Sequence, residues 1–242
     1  MEILAIKTKL FPAGADLLAF LLKNLPVLNN GDVVAITSKI IALSQNRVGL
    51  LVDKTMLIRQ ESKEIIEMPW ALLTLTDDGW CLNAGADESN AAGKLILLPK
   101  DPYRVANIIR AKLLKHFRLN KLGIIITDTK SVPLRVGTIG RALAYAGFKP
   151  LRSYIGKADL FGRKTRFTES NLADALAASA VLLTGEGDES KPLAIIRQAP
   201  LDFVEIRRKL RTLALNPETD VYGPIFRIKK PFRRDIGTAQ GL

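Results

Sequence analysis

Apolar and polar positions alternate between two periods along this chain, and the changes of period mark its elements. "MEILAIK" at the N-terminus predicts a first strand, and "AGADLLAFLLKNL" has the i, i+3, i+4 apolar spacing of a helix packed against it. A turn signal at Asn30-Gly31-Asp32 precedes the apolar run of "GDVVAITSKI", which predicts a strand through Ile36 ending in Thr37-Ser38-Lys39. "DKTMLIRQESKEIIEM" has a helical period, "WCLNAGADESN" is turn-rich and polar, and "GKLILLPKDP" predicts a short strand closed by proline. "DPYRVANIIRAKLLKHF" is the clearest amphipathic helix, with Asp101 placed as N-cap and Pro102 at the first helical position. It leads into "IIITDT", a β-branched run that breaks abruptly at Asp128.

Beyond Arg135 the pattern loosens. "GTIGRALAYAG" is rich in small residues, and "YIGKADLFGRKT" is polar and punctuated by glycine. "TESNLADALAASAVLLTG" predicts a helix that Thr168 and Asn171 cap only loosely, without the Glu or Gln of a full capping box. "KPLAIIRQ" predicts a strand and "LDFVEIRRKLRTLAL" a further amphipathic helix. From Asn216 to Leu242 Pro and Gly become frequent and periodicity fades, which predicts an extended or poorly ordered tail. No repeat and no low-complexity linker divides the chain. The expected organisation is a mixed α/β (α+β) domain over residues 1–215 and a basic C-terminal extension over 216–242.

Composition then excludes several classes. With 242 residues and 48% hydrophobic content the chain can bury a large core. No apolar run reaches the roughly 18 residues a membrane helix requires, and the start lacks the features of a signal peptide, so a cytoplasmic protein is expected. Cys81 is the sole cysteine, which rules out an internal disulfide and a cysteine-built metal site. His116, the sole histidine, lies near the end of an amphipathic helix between Lys115 and Arg118, where a helix-terminal role outweighs that of a general base. Any metal must therefore be held by oxygen.

The net charge of +12 attracts polyanions, and "RIKKPFRR" at 227–234 concentrates it. Nucleic acid is one such partner, but aromatic residues are only 6% of the chain and are not interleaved with the basic clusters, which weighs against base stacking. Two glycine-containing segments also fail as phosphate loops. "GADESNAAGKL" has the wrong glycine spacing and Leu95 where Ser or Thr would bind magnesium, and "GEGDES" from Gly185 lacks a third glycine and reads as a turn.

What remains is a set of polar groups at strand ends and beside glycines: Thr37-Ser38-Lys39, Asn83-Ala84-Gly85, Ser89-Asn90, Asp128-Thr129, Asp159 and Gly162-Arg163. Carboxylates, amides and hydroxyls without His or Cys suit hard cations, which commonly bind one or two carboxylates plus substrate phosphates. A carboxylate at the end of a core strand needs a partner, because burying it unpaired costs several kcal/mol or more. Two partners fit Asp128 equally on local sequence: a divalent cation, with Asp159 as second carboxylate, or the backbone of its own turn.

Seven collinear segments, "GDVVAITSKI", "CLNAGADESN", "LLPKDP", "IIITDT", "GTIGRALAYAGFKPL", "GKADLFGR" and "LADALAASAVLLTGE", give the chain a resemblance to the coenzyme F(420)-0:gamma-glutamyl ligase family over roughly Gly31 to Arg197. That resemblance implies a mixed α/β fold particular to the family, with flanking helices and an intertwined homodimer. It also implies a ligase that uses GTP (or ATP) and a divalent metal, Mg²⁺ or Mn²⁺, to join L-glutamate by an amide bond to an anionic cofactor precursor of deazaflavin or folate type. Carried over by position, Asp128 and Asp159 hold metal and Thr129 lends an oxygen. Ser38, Lys39, Asn83 and Asn90 lie on the nucleotide side, and Lys39 and Arg135 steady phosphate or carboxylate oxygens. The chain departs from the family pattern in three places: Asp78-Gly79 stands for His-Gly, Ser131 to Arg135 for Gly-Arg-Pro-Trp-Arg, and Ile155 for an arginine. The competing expectation is a basic protein that binds nucleotide or nucleic acid without catalysis.

Overall fold

The structure, a computed structural model, describes residues 1–205, 213–216 and 218–226. Its elements in chain order are β1 (Glu2–Ile6), α1 (Leu17–Asn24), β2 (Asp32–Thr37), α2 (Ser38–Ser44), β3 (Val48–Leu50), α3 (Lys54–Gln60), β4 (Glu64–Glu67), β5 (Leu72–Thr76), β6 (Gly79–Leu82) and β7 (Lys94–Ile96). There follow α4 (Pro102–Phe117), β8 (Leu122–Ser131), β9 (Thr138–Ala146), β10 (Leu151–Ser153), β11 (Glu169–Asn171), α5 (Leu172–Thr184) and β12 (Leu193–Arg197).

The core is a five-stranded sheet in the order β1-β12-β2-β8-β9. Only β2 and β8, side by side near its middle, run parallel; every other pairing in it is antiparallel. Both faces of the sheet are covered. Val34, Ile36, Ile124 and Ile126 point to one face and pack with Leu21, Ile40, Ile41, Ile109 and Leu113 from α1, α2 and α4. Val33, Ala35, Ile125 and Ala142 point to the other and pack with Ala173, Leu176, Ala177 and Ala180 of α5. Burial on both faces is why these strands read as continuous apolar runs rather than as alternating ones.

Strand β9 lies tightly against α5. A Cβ added at Gly140 would stand 2.7 Å from the Val181 side chain and 3.0 Å from the Ala177 carbonyl oxygen. The small residues of "GTIGRALAYAG" therefore serve a close helix–sheet approach. Two smaller units flank the core: an antiparallel meander of β4, β5 and β6, and the pair β3–β7. A ribbon of β10 and β11 carries residues 154–168, an arm closed on itself by Gly156 N donating to Thr165 O and Asp159 N donating to Arg163 O, 2.9 Å each.

Several sequence expectations need correction. The segment expected to be one helix from Asp53 to Met68 is helical only over α3; Ile65 and Ile66 then extend into β4, because pairing with β5 outweighs the helical period. The first residues of the expected turn-rich segment, Trp80 to Leu82, belong to strand β6. Asp101 precedes α4 but adopts φ 47°, ψ 51° and makes no side-chain cap bond, while Pro102 does begin the helix. Asn171, not Thr168, caps α5 by accepting from Asp174 N. His116 sits exposed in the last turn of α4, as expected. Of the helix predicted over 201–215, residues 201–205 and 213–215 are not helical, Phe203 instead bridging Phe148, while 206–212 lie outside the described residues, as does "RIKKPFRR" at 227–234; Gly223–Phe226 forms one helical turn inside the segment expected to be extended.

Candidate functional site

The parallel pair fixes the position of the site. Thr37 and Thr127 are the last register partners of the parallel pairing, where β2 ends and β8 continues beside β9 alone, so Ser38 and Asp128 emerge beside each other. Crevices outside the carboxyl ends of parallel strands are where open α/β sheets bind ligands. A β-bulge in the β8–β9 pairing falls between Ile126 and Thr127, just before Asp128, and sets Asp128 opposite Arg141. The extra residue is Leu143 of β9, between the partners of Ile126 and Thr127, so it is β9 and its Arg141 that the bulge re-aims.

Asp128 Oδ1 accepts a hydrogen bond from Ser38 Oγ at 3.0 Å, and Oδ2 lies 3.3 Å from Arg141 Nη2. Burial pushes the Asp128 carboxyl up to about 6; the Ser38 hydroxyl and the Thr129 N–H oppose this, and the negative charges of Asp87 and Glu186 add to it. Thr129 Oγ1 donates to Glu186 Oε2 at 3.2 Å, and burial raises the Glu186 carboxyl as well. Lys39 Nζ lies 2.8 Å from both Asp87 Oδ2 and Ser89 O. Burial raises the Asp87 carboxyl, but Lys39 and Ser89 outweigh it and bring Asp87 below its ordinary range. Asn90 donates to Gly187 O at 2.8 Å.

All of these groups but Arg141 line one cleft of about 570 Å³, of the size that small-molecule sites occupy. It gathers Ser38 and Lys39 from α2, Asn90 from the loop before β7, Asp128 and Thr129 from β8, and Glu186 from the loop after α5. Lys9, Lys94 and Lys191 also line it.

The remaining predicted site residues lie elsewhere. Asn83 accepts from Leu72 N at 3.1 Å and pins the start of β5, outside the cleft lining. Arg135 is exposed on the β8–β9 hairpin, also outside it. Asp159 is exposed in the arm rather than at the edge of the core. Its Oδ1 accepts from Phe161 N and Arg163 N, 2.9 Å each, and it lines a separate depression beside Arg163 to Thr168. The structure thus unites Ser38, Lys39, Asn90, Asp128 and Thr129 and does not bring Asn83, Arg135 or Asp159 to them.

Sequence reasoning passed over Glu186, Asp87 and Arg141. Glu186 was readable as an acidic residue between two glycines just past a helix end, but a turn explains the same pattern. Among the described residues no group of three or more His, Cys, Asp and Glu is gathered as a metal centre. A hard cation at Asp128 would accordingly draw on that carboxylate, the Thr129 hydroxyl and ligand oxygens. The donor chemistry fits such an ion, since Asp128 is buried, raised by its own burial and repelled by two neighbouring carboxylates, all of which a cation would offset.

Comparison with known proteins gives this geometry its context. The family model for F420-0:Gamma-glutamyl ligase matches residues 49–198, and the chain belongs to that family. A Coenzyme F420:L-glutamate ligase of Methanococcus maripaludis is 33% identical, with 92% of this chain and 97% of the relative covered. The protein of the same name from Methanopyrus kandleri is 33% identical over 86% of this chain and 91% of its own length. That from Methanocaldococcus jannaschii is 31% identical over 92% and 96%. The segment from Gly49 to the end of β12, which includes Asp128, Thr129 and Glu186, falls within the matched range. Among the described residues no helix is long and apolar enough to cross a membrane.

Proposed function

We propose that this protein is a γ-glutamyl ligase that joins L-glutamate by an amide bond to an anionic cofactor precursor, with GTP (or ATP) as co-substrate and Mg²⁺ or Mn²⁺ as cofactor. The observation that carries the reading is the largely buried Asp128 just past the end of the parallel β2–β8 pairing, in a cleft that four lysines also line. Family membership supports the same reaction class and does not favour a non-catalytic nucleic-acid binder.

A carboxylate is a poor electrophile, so the acceptor oxygen first attacks the γ-phosphorus of the nucleotide and the nucleoside diphosphate leaves. The deprotonated glutamate amine then attacks the acyl carbon, its C–O bond to phosphate breaks, and inorganic phosphate departs with that electron pair. Lys39, Lys9, Lys94 and Lys191 supply the positive charge that draws a triphosphate into the cleft. Ser38 holds Oδ1 of Asp128, while Asp128 and Thr129 present oxygens to the metal. The bound cation supplies neutralisation of phosphate charge. Asp159 stands in this proposal as the second metal carboxylate, Arg135 as an anion-steadying residue, and Asn83 and Asn90 as nucleotide-side groups.

We also propose a homodimer. Leu160, Phe161 and Phe167 on the arm are 97, 95 and 87% exposed, and Leu134 and Val136 on the β8–β9 hairpin are fully so. Apolar protrusions of this kind mark association surfaces. The test of the activity is a screen of deazaflavin and folate acceptors with glutamate, GTP or ATP, and Mn²⁺ or Mg²⁺, reading phosphate release together with a mass gain of one glutamate. No mass gain on any acceptor, with no nucleotide turnover, would refute the ligase reading.

A further inference from the structure

Behind Asp128, on the side away from the cleft lining, lies an ionic group that the proposed reaction does not use. Arg141 pairs through Nη1 with Asp78, on the turn joining β5 to β6, and reaches Asp128 only through Nη2, at 3.3 Å. The side chains of Arg141, Asp78 and Asp128 are 11, 17 and 18% exposed, so all three charges lie largely out of water. A charge-assisted N–H···O contact is ordinarily 2.7–2.9 Å long, which makes the one to Asp128 loose. Arg141 Nε is buried without an acceptor among the described residues. One guanidinium is thus shared between two carboxylates.

We propose that Asp78 is a positioning residue for the metal site: by holding Arg141 it leaves Asp128 loosely paired and open to a divalent cation. The inference rests on the metal reading of Asp128. Asp174, which accepts from Ala142 N, also acts on Arg141 by its charge, but without Asp78 the carboxylate left in ion-pair range is Asp128, so the guanidinium closes on it and competes with metal for the same oxygens. The small β4–β6 meander thereby has a role at a cleft it does not line.

The test is Mn²⁺ titration of the full chain, counting free Mn²⁺ by its paramagnetic resonance signal, with melting temperature as the check of folding. Wild-type protein binds Mn²⁺ and Asp128→Asn does not. Asp78→Asn, isosteric and distant from the ion, weakens Mn²⁺ binding about tenfold. Adding Arg141→Met to Asp78→Asn restores affinity to within about threefold of wild type, because the competing cation is gone. Unchanged affinity in Asp78→Asn, or no recovery in the double variant, overturns this proposal alone. Wild-type affinity in Asp128→Asn overturns the metal reading beneath it. Should Asp78→Asn not fold, a crystal structure of the Mn²⁺-loaded wild type decides: Arg141 stays on Asp78 with Asp128 on the metal, and an Arg141 moved from Asp78 onto Asp128 refutes the idea.

Discussion

Asp128→Asn should make the metal-free protein more stable at neutral pH while removing its metal response. Burial raises the Asp128 carboxyl from 3.8 to about 6. The folded protein therefore keeps a proton between about pH 4 and pH 6 that the unfolded chain has released. Stability from this group is complete below about pH 4 and declines as pH rises through about 6. Two units correspond to about 3 kcal/mol that wild type has lost by pH 7.5. Asparagine does not titrate. Its oxygen can still accept from Arg141 and its amide can donate to the Ser38 hydroxyl, which rotates to suit, so the cost of losing charge-assisted contacts is about 1–2 kcal/mol. The net gain at pH 7.5 is about 1–2 kcal/mol, or roughly 2–8 °C in Tm for a chain of this size. The assay is thermal unfolding by circular dichroism in EDTA from pH 4.5 to pH 8, repeated with Mn²⁺. The gap should open between pH 5 and pH 7.5, and Mn²⁺ should raise the wild-type Tm alone. A variant less stable than wild type at pH 7.5, or a gap that does not change with pH, would show that Asp128 is a structural partner of Arg141, and the reasoning would fail.

Asp159→Asn tests the second carboxylate cleanly, because an amide oxygen can accept the same two N–H bonds from Phe161 and Arg163. Melting should be unchanged and metal-dependent nucleotide turnover lost; wild-type turnover would remove Asp159 from the site. Gly140→Val places branched carbon against Val181 and the Ala177 carbonyl, and should cost about 1–3 kcal/mol in urea unfolding; an unchanged midpoint would mean that α5 does not hold β9 as described. Light scattering at micromolar concentration should give twice the chain mass, and Phe161→Asp should lower it; a monomer mass for wild type would sink the dimer.

The parts of the fold that the sequence displayed are those whose burial is uniform. Strands β2 and β8 are apolar on both faces because helices cover both faces, so their runs stand out from their surroundings. The helix α4 stood out for the opposite reason, one face buried against the sheet and one in water. Strand β9 shows neither pattern. Its Gly140, Ala142, Ala144 and Ala146 are small so that helices can approach the sheet, and that requirement carries no period of its own. The β4–β6 meander escaped for another reason: its four- and five-residue strands are shorter than one and a half helical turns, so Ile65 and Ile66 fit a helix until pairing with β5 decides.

The candidate site divides along the same line between local and distant causes. Asp128 was visible because a carboxylate interrupts a core strand, a conflict that one segment displays by itself. Ser38 and Lys39 were visible because they end the other parallel strand. Glu186, Asp87 and Arg141 meet that carboxylate from segments that taken alone are a turn, a loop and a run of small residues. Thr129 and Glu186 stand 57 positions apart in the chain, and Arg141 reaches Asp78 only through the β5–β6 turn. Asp159 was named both from its polar, glycine-flanked segment and from the resemblance to a known family, yet its oxygen already serves a turn of its own arm. Charge near Asp128 is therefore set by tertiary contacts: five carboxylates, Asp87, Asp128, Glu186, Asp188 and Glu189, and four lysines, Lys9, Lys39, Lys94 and Lys191, line the cleft, with Arg141 and Asp78 behind them. On the proposed reading, the lysines of the cleft would draw in the anion and Asp128 would hold the metal that accompanies it, in a chain whose net charge is +12.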